Sequence, residues 1–204
     1  MQSNRFYQTT NGEETIAAIS TPLGVGGIGI VRLSGPNSIS IASKLFRHKG
    51  KLKKRPHEFH THHQYYGTIV GPEDEKLIDE VILSVMRKPR TYTKQDIVEI
   101  NCHGGLMVMR KVLETVMRNG ARIAEPGEFT RLAFLNGRID LSQAEAIIDI
   151  IQSNNDRSLQ ASLYQLSGGL KERISRLSNM IIDLNTKIEA PIDFPDQGIE
   201  EINK

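Results

Sequence analysis

The chain carries one cysteine, Cys102, no tryptophan, and only 5% aromatic residues among its 204 positions. A single thiol excludes an internal disulfide framework and a cysteine-rich zinc site, and it fits a reducing compartment. Nowhere is there a run near the ~18 apolar residues that a membrane-spanning helix requires. Met1 to Thr10 holds one basic residue and no apolar core, so no secretory signal is predicted and a cytoplasmic location is expected. Charge of one sign is also missing: 26 Lys and Arg against 24 Asp and Glu leave +2, too little for the whole chain to act as a polycation on nucleic acid. Absent too is G-x-x-x-x-G-K-[ST], the loop whose backbone amides and lysine cradle nucleotide phosphates, so this chain by itself is not expected to hydrolyse GTP or ATP.

What is present, 38% hydrophobic and 25% charged residues, suits a soluble globular chain of one or two domains. At this length folding buries about 70% of the unfolded surface, enough for a real core. Thr15 to Ser20 and Ile28 to Ser34 are predicted strands flanking a glycine loop, and Asn37 to Phe46 carries a short helical stripe. Tyr65 to Val70 and Leu77 to Met86 read as strands joined by a Gly71-Pro72 turn, and Asp96 to Asn101 alternates apolar with polar residues. Gly104-Gly105 opens a helix to Asn119, ended by Gly120. Lys44, Arg47, Lys49, Lys51, Lys53, Lys54 and Arg55 form a basic run followed by His57, His60, His62 and His63. It could pair with RNA phosphates, but the favoured reading is a solvated loop between two elements. The histidines lack a carboxylate or cysteine at a known ligand spacing, so no metal site is assigned.

After Gly127 strands disappear. Phe129, Leu132, Ala133 and Leu135 have helical spacing up to Asn136-Gly137, and Ser142 with Glu145 forms a capping-box signature ahead of a helix to Ile151. Leu159, Leu163, Leu166, Leu170, Ile174, Leu177, Ile181, Leu184 and Ile188 recur at a mean step of about 3.6 residues, one apolar face of a long helix. At 1.5 Å per residue that face runs roughly 45 Å, more than the helices from Gly127 to Gln152 can cover. A dimer partner or later segments of a longer polypeptide are expected to pack there, and Pro191 to Asp196 reads as a linker. Gly168-Gly169, at about 1 kcal/mol per helical glycine, marks a kink or a close helix contact.

Gly24, Gly26 and Gly29 satisfy G-x-G-x-x-G literally, but the motif enters a strand instead of a helix, and the region near Lys49 is basic where an acid should hold a ribose. What remains is a glycine loop that admits a ligand close to backbone, beside Arg32, or a tight turn with Arg32 in a surface ion pair. Glu99, flanked by apolar strand residues, needs a donor: adjacent N–H groups of a heterocycle, or a neighbouring Arg or Lys, which sequence alone favours. Adjacent Cys102 and His103 point to opposite faces of a strand and have no third group to orient the imidazole, so packing and turn geometry account for both better than nucleophilic catalysis.

Taken together, Thr21-Pro22-Leu23-Gly24-Val25-Gly26-Gly27-Ile28-Gly29-Ile30-Val31-Arg32, the run from Val98-Glu99-Ile100 to His103-Gly104-Gly105, and Pro126-Gly127-Glu128-Phe129-Thr130-Arg131-Leu132-Ala133-Phe134-Leu135-Asn136-Gly137 resemble the tRNA modification GTPase MnmE (TrmE) family. Asp140-Leu141-Ser142-Gln143-Ala144-Glu145-Ala146 and Ala190-Pro191-Ile192-Asp193-Phe194-Pro195-Asp196 match as well, so the similarity covers nearly all of the chain in order.

The resemblance implies an α+β fold: a mixed-sheet tetrahydrofolate-binding and dimerisation domain over 1–126, similar to the folate domain of an aminomethyltransferase. Residues 127–204 would then be the first part of a split, all-α helical domain. The family's GTPase domain, which binds GTP with magnesium and potassium, its returning C-terminal helices and its C-terminal cysteine motif have no counterpart here. Carried over position by position, Arg32, Glu99 and Arg138 match the family's folate contacts, Glu99 for the pterin N–H donors and the arginines for anionic or carbonyl groups. Thr93-Lys94-Gln95-Asp96 stands where the family usually has Thr-Gly-Glu-Asp, and Arg138 where lysine is frequent.

The cofactor so implied is 5-formyl- or methylene-tetrahydrofolate. The implied partners are a second copy through the N-terminal domain, the flavoprotein MnmG (GidA) and tRNA, whose wobble uridine would become carboxymethylaminomethyl-uridine. No catalytic or metal-ligating residue is assigned to this chain. Two further readings are a non-catalytic dimerisation scaffold, which the long apolar stripe supports, and a free-standing aminomethyltransferase, for which no acid positioned for chemistry is visible.

Overall fold

A computed structural model describes residues 14–48, 52–53 and 55–193. Met1 to Thr10, Lys49, Lys51 and Lys54 of the basic run, and Phe194 to Asp196 of the linker lie outside the described residues. Contacts divide the chain into two compact units, the first ending at Arg138 and the second beginning at Ile139.

The first unit contains β1 (Ile16–Ile19), β2 (Gly26–Ser34), α1 (Ser38–Leu45), β3 (Phe46–His48), β4 (Leu52–Lys53), a single 3-10 turn (Pro56–Glu58) and β5 (His63–Val70). It continues with β6 (Leu77–Met86), β7 (Ile97–Gly104), α2 (Leu106–Arg118), β8 (Arg122–Ile123) and α3 (Glu128–Leu135). The eight strands form one mixed sheet in the order β4-β3-β5-β6-β7-β2-β1-β8, antiparallel throughout except where β8 runs parallel to β1. This is the expected α+β architecture.

Because side chains alternate along a strand, Val31 and Leu33 of β2, Val98 and Ile100 of β7, and Val81, Leu83 and Val85 of β6 share one face. All are buried there against Ile41, Ala42 and Leu45 of α1 and against Met109, Val112 and Val116 of α2. The opposite face carries Arg32, Ser84, Glu99, Asn101 and His103.

Two of the glycines are demanded by how tightly β2 lies on its neighbours. A Cβ at Gly29 would sit 2.3 Å from Met109 Sδ, and one at Gly104 would sit 2.4 Å from the Gly26 carbonyl oxygen. Gly24 and Gly27 face open space instead.

Arg47 and Lys53 of the basic run do not lie in a solvated loop but on strands β3 and β4. Phe46 is fully buried in β3, and Arg47, 2% exposed, forks onto Glu75 (Nε–Oε2 2.9 Å, Nη2–Oε1 2.7 Å) while donating to the Lys44 and Phe46 carbonyls. A guanidinium tolerates such burial only when its donors are filled. Arg47 and, after it, Lys53 hold the Glu75 carboxyl down at about 2.

The first unit also extends past the change of pattern at Gly127, because α3 is tied to it at both ends. At its start, buried Glu128 takes a fork from Arg122 of β8 (Nη1–Oε2 2.8 Å, Nη2–Oε1 2.6 Å) and accepts from the Glu125 N–H at 2.8 Å. At its end, Asn136 Nδ2 donates to the Thr93 carbonyl at 2.6 Å.

The second unit is α4 (Leu141–Gln152), α5 (Asp156–Leu166) and α6 (Gly169–Asp193). Asp140, not Ser142, caps α4: its Oδ1 accepts from Gln143 N at 2.9 Å and Gln143 Oε1 accepts from Asp140 N at 2.9 Å. Ser142 lies inside the first turn and donates to Asp140 Oδ1, so Glu145 has no cap to complete. These bonds, the Gln143 amide first, lower the Asp140 pKa. The single long helix expected from the apolar stripe is two helices: Gly168, at φ +92°, closes α5 in the left-handed region, and a Cβ on Gly169 would meet the Tyr164 ring at 2.2 Å. On α6 the stripe residues Leu170, Ile174, Leu177, Ile181, Leu184 and Ile188 are 38% to 66% exposed. Among the described residues no helix is long and apolar enough to cross a membrane.

Replacing Glu128 with Gln is expected to lower the unfolding free energy at neutral pH by roughly 2 kcal/mol, since a buried carboxylate fork is lost. Arg122, ahead of the other groups, depresses the Glu128 pKa from 4.5 to about 2. The stabilisation is therefore complete above the unfolded value and disappears as pH falls toward the folded one. Urea unfolding between pH 6 and pH 2, to about half a unit, should show a flatter acid limb in the variant; parallel limbs would refute the assignment. Gly29→Val should cost roughly 1–3 kcal/mol by collision with Met109, while Gly24→Ala should stay within about 0.5 kcal/mol. Thermal melts of the two variants test this, and equal losses would mean that Gly29 is not packing-limited.

Candidate functional site

The face of the sheet away from α1 and α2 gathers the polar residues singled out in the sequence. Register pairs Arg32 of β2 directly with Glu99 of β7, and Glu99 in turn faces Ser84 of β6. Arg32 Nε donates to Glu99 Oε1 at 2.8 Å, with the two side chains 29% and 21% exposed. The ion pair that sequence alone favours is thus present. It engages one guanidinium nitrogen and one carboxylate oxygen; among the described residues Arg32 Nη1 and Nη2 and Glu99 Oε2 have no hydrogen-bond partner. Asn101 does not join the pair: its Nδ2 donates to the Ile82 carbonyl at 2.9 Å and to Ser84 Oγ at 3.3 Å.

Beside the pair, the Arg32 guanidinium lies 5.7 Å from the centre of the Phe129 ring, so the first turn of α3 walls this part of the face. Arg138 sits just beyond the other end of α3, where Gly137 at φ +66° turns the chain and Arg138 N bonds the Ala133 carbonyl at 2.9 Å. Its guanidinium covers the Tyr92 ring at 4.8 Å. The structure therefore brings Arg32 and Glu99 into direct contact, beside Phe129 at the start of α3, and sets Arg138 past the end of that helix, over Tyr92.

The loop from Thr91 to Asp96 fastens this arrangement. Tyr92 OH lies 2.9 Å from Thr130 Oγ1, Lys94 Nζ donates to the Gly137 carbonyl at 3.0 Å, and Thr93 Oγ1 lies 2.7 Å from Ser34 Oγ at the end of β2. Met86, Pro89, Arg90, Thr91, Tyr92, Lys94 and Arg138 line an open groove of about 340 Å³ here. Sequence reasoning missed Tyr92 and Arg90 altogether and read Phe129 only as a helix-face residue. Their contacts, Arg90 with His62, Tyr92 with Thr130 and Phe129 with Arg32, join segments far apart in the chain, for which no local period exists.

The glycine loop leads into a strand, β2, as its β-branched residues imply, and so forms no dinucleotide turn. Leu23, Val25 and Ile28 around it are 69%, 106% and 68% exposed. Cys102 is buried, donates to the Gly29 carbonyl at 3.3 Å, and has its thiol pushed up to about 11 by burial and then by Asp79. His103 points to the other face and pairs with Asp79 (Nδ1–Oδ1 2.7 Å). There is no thiolate–imidazole couple: packing explains Cys102, whereas His103 is 67% exposed and is oriented by Asp79, a third group the sequence did not reveal. Among the described residues no group of three His, Cys, Asp or Glu could hold a metal ion. A roomier cavity of about 570 Å³, between the β5–β6 turn and α2, mixes Glu73 and Asp74 with Lys76, Lys111 and Arg118 and contains none of Arg32, Glu99 and Arg138.

Comparison with known proteins follows the same division of the chain. Residues 15–138 match the family model described as the GTP-binding protein TrmE N-terminus, and residues 141–204 match the MnmE helical domain. The tRNA modification GTPase MnmE of Acetivibrio thermocellus is 51% identical over 190 residues, covering 93% of this chain and 40% of that protein. The protein of the same name from Carboxydothermus hydrogenoformans is 54% identical over 192 residues (93% and 41%), and that of Bacillus licheniformis 50% over 190 (93% and 41%). The chain spans about two fifths of the length of these curated relatives. On these matches, the chain belongs to the tRNA modification GTPase MnmE (TrmE) family.

Proposed function

We propose that this chain is the folate-binding and dimerising part of a tRNA modification GTPase. The observation that carries the reading is the half-used Arg32–Glu99 pair on the open face of the sheet. A carboxylate with a spare oxygen, partly shielded from water, fits a ligand edge that presents adjacent N–H donors, as the aminopyrimidinone ring of a pterin does. Charge-assisted bonds of this kind are worth about 1.5–3 kcal/mol each. The spare nitrogens of Arg32 fit a carbonyl of the same ring system, Phe129 provides an apolar wall, and Arg138 fits the ligand's anionic end. Bound 5-formyl- or methylene-tetrahydrofolate supplies a one-carbon unit. This chain's residues bind and orient it: Glu99 as acceptor, Arg32 holding that carboxylate in place, Arg138 as counter-charge.

In this reading the complete protein hydrolyses GTP with magnesium and potassium in a domain outside this chain. With the FAD-carrying partner MnmG (GidA), it installs a carboxymethylaminomethyl group on the wobble uridine of tRNA in the cytoplasm. Two copies associate through the first unit, for which the exposed Leu23, Val25 and Ile28 are suitable contacts. The exposed stripe on α6 favours a second reading, a non-catalytic dimerisation scaffold.

Titration calorimetry with 5-formyltetrahydrofolate is expected to show binding to the chain and a loss of about 10–100-fold for Glu99→Ala, the equivalent of one charge-assisted bond. Equal affinities would remove Glu99 from the site. A chain that sediments as a dimer yet ignores folate would support the scaffold.

A further inference from the structure

The groove beyond the Arg32–Glu99 pair has a charge pattern that the pair does not explain. Arg90, Lys94 and Arg138 line it, no acid does, and none of the three has a carboxylate partner among the described residues. Lys94 Nζ is held only by the Gly137 carbonyl and Arg138 only by the Tyr92 ring. Arg90 is exposed, and its loop is anchored through its own carbonyl, 3.0 Å from His62 Nε2. The groove opens on the same face of β6 that carries the candidate ligand site. Met86, which lines it, lies two residues beyond Ser84 on β6, hence on the same face and about 7 Å along the strand from the position facing Glu99.

We propose that this groove holds the γ-linked glutamyl tail of the folate, so that the chain prefers polyglutamylated over monoglutamyl 5-formyltetrahydrofolate. The proposal rests on the folate reading above and extends it. A folate is asymmetric in the required sense, with N–H donors at its ring end and carboxylates at the other, and each added glutamate brings one more carboxylate to a cluster of unpaired cations. The same cations could meet an RNA backbone. Against that, the groove is short and the Tyr92 face is already covered by Arg138, leaving no open aromatic platform for a base.

Calorimetry on the 204-residue chain with monoglutamyl and triglutamyl 5-formyltetrahydrofolate tests the proposal. The triglutamate should bind about 3- to 20-fold tighter at low salt, the preference shrinking as salt screens exposed charges. In Arg90→Gln/Lys94→Asn the preference should fall below about twofold. Asparagine is chosen because Lys94 has φ +57°, which it tolerates, and a thermal melt checks folding. Equal affinity of the wild type for the two ligands, or a preference that survives in the double variant, overturns the proposal. So does a loss of tRNA binding in the double variant with the preference intact, which would assign the groove to RNA. Failure of the wild type to bind either folate overturns the folate reading itself and this extension with it.

Discussion

The register of β2 on β7 sets the chemistry of the whole face. Arg32 can meet Glu99 only because Gly29 pairs with Cys102, Val31 with Ile100 and Leu33 with Val98 along the same ladder. A slip of one residue would turn Val31 and Leu33 out to solvent and bury the guanidinium, an arrangement the core excludes. Two close approaches pin the register: Gly29 under Met109 and Gly104 under the Gly26 carbonyl. The glycines that look like a phosphate loop in sequence are therefore split in their roles. Some permit the strand contact that aims Arg32, and others leave the hairpin tip open to solvent.

What the sheet cannot supply, α3 does. Phe129 and Arg138 belong to one short helix and its exit turn, so their positions depend on how that helix is fixed. The fork between Glu128 and Arg122 joins its first residue to β8, and β8 is paired in turn with β1. At the other end Asn136 and Lys94 join its exit to the loop preceding β7, and the Tyr92–Thr130 contact ties its first turn to the same loop. The two anchors differ in kind. The first is a buried carboxylate forked by a partly exposed guanidinium, strong because loss of Arg122 leaves a buried charge with only Arg131 and the Glu125 N–H to hold it. The second is a set of exposed or half-exposed bonds whose individual worth is small. The end of α3 that carries Arg138 is thus the more adaptable, as suits a residue proposed to follow the anionic end of a ligand.

This difference also explains what could be read from the chain alone. β2, β5, β6, β7 and α2 were legible because each buries one face and so carries its own period. β3 and β4 were not, since Arg47 and Lys53 in them are paired with Glu75, 28 residues from Arg47 along the chain. The cap of α4 shifted from Ser142 to Asp140 because two local signals overlapped and the carboxylate is the stronger acceptor. Gly168 ended a helix that the apolar spacing carried straight through, backbone conformation overriding periodicity. At the site, the need of Glu99 for a donor was visible in its apolar flanks, whereas the identity of that donor required the register. Arg138 was singled out by resemblance to a family, not by any pattern of its own, and the structure adds Tyr92, the aromatic ring under its guanidinium.

The two units are not equally self-sufficient, and this bears on where ligand chemistry can reside. The first closes its own core: Val31, Leu33, Ile41, Leu83, Ile100 and Met109 are almost wholly inaccessible. The second leaves Leu170, Ile174, Leu177, Ile181, Leu184 and Ile188 about half exposed along α6. Fully burying a Leu or Ile side chain is worth about 1.5–3 kcal/mol, so completing that stripe would add on the order of 5–10 kcal/mol, comparable to the net stability of an entire domain. Whatever covers α6 therefore governs the order of the helical unit. The Arg32–Glu99 pair is held by a sheet whose core needs no such cover, which is the physical reason the proposed cofactor site falls in the first unit.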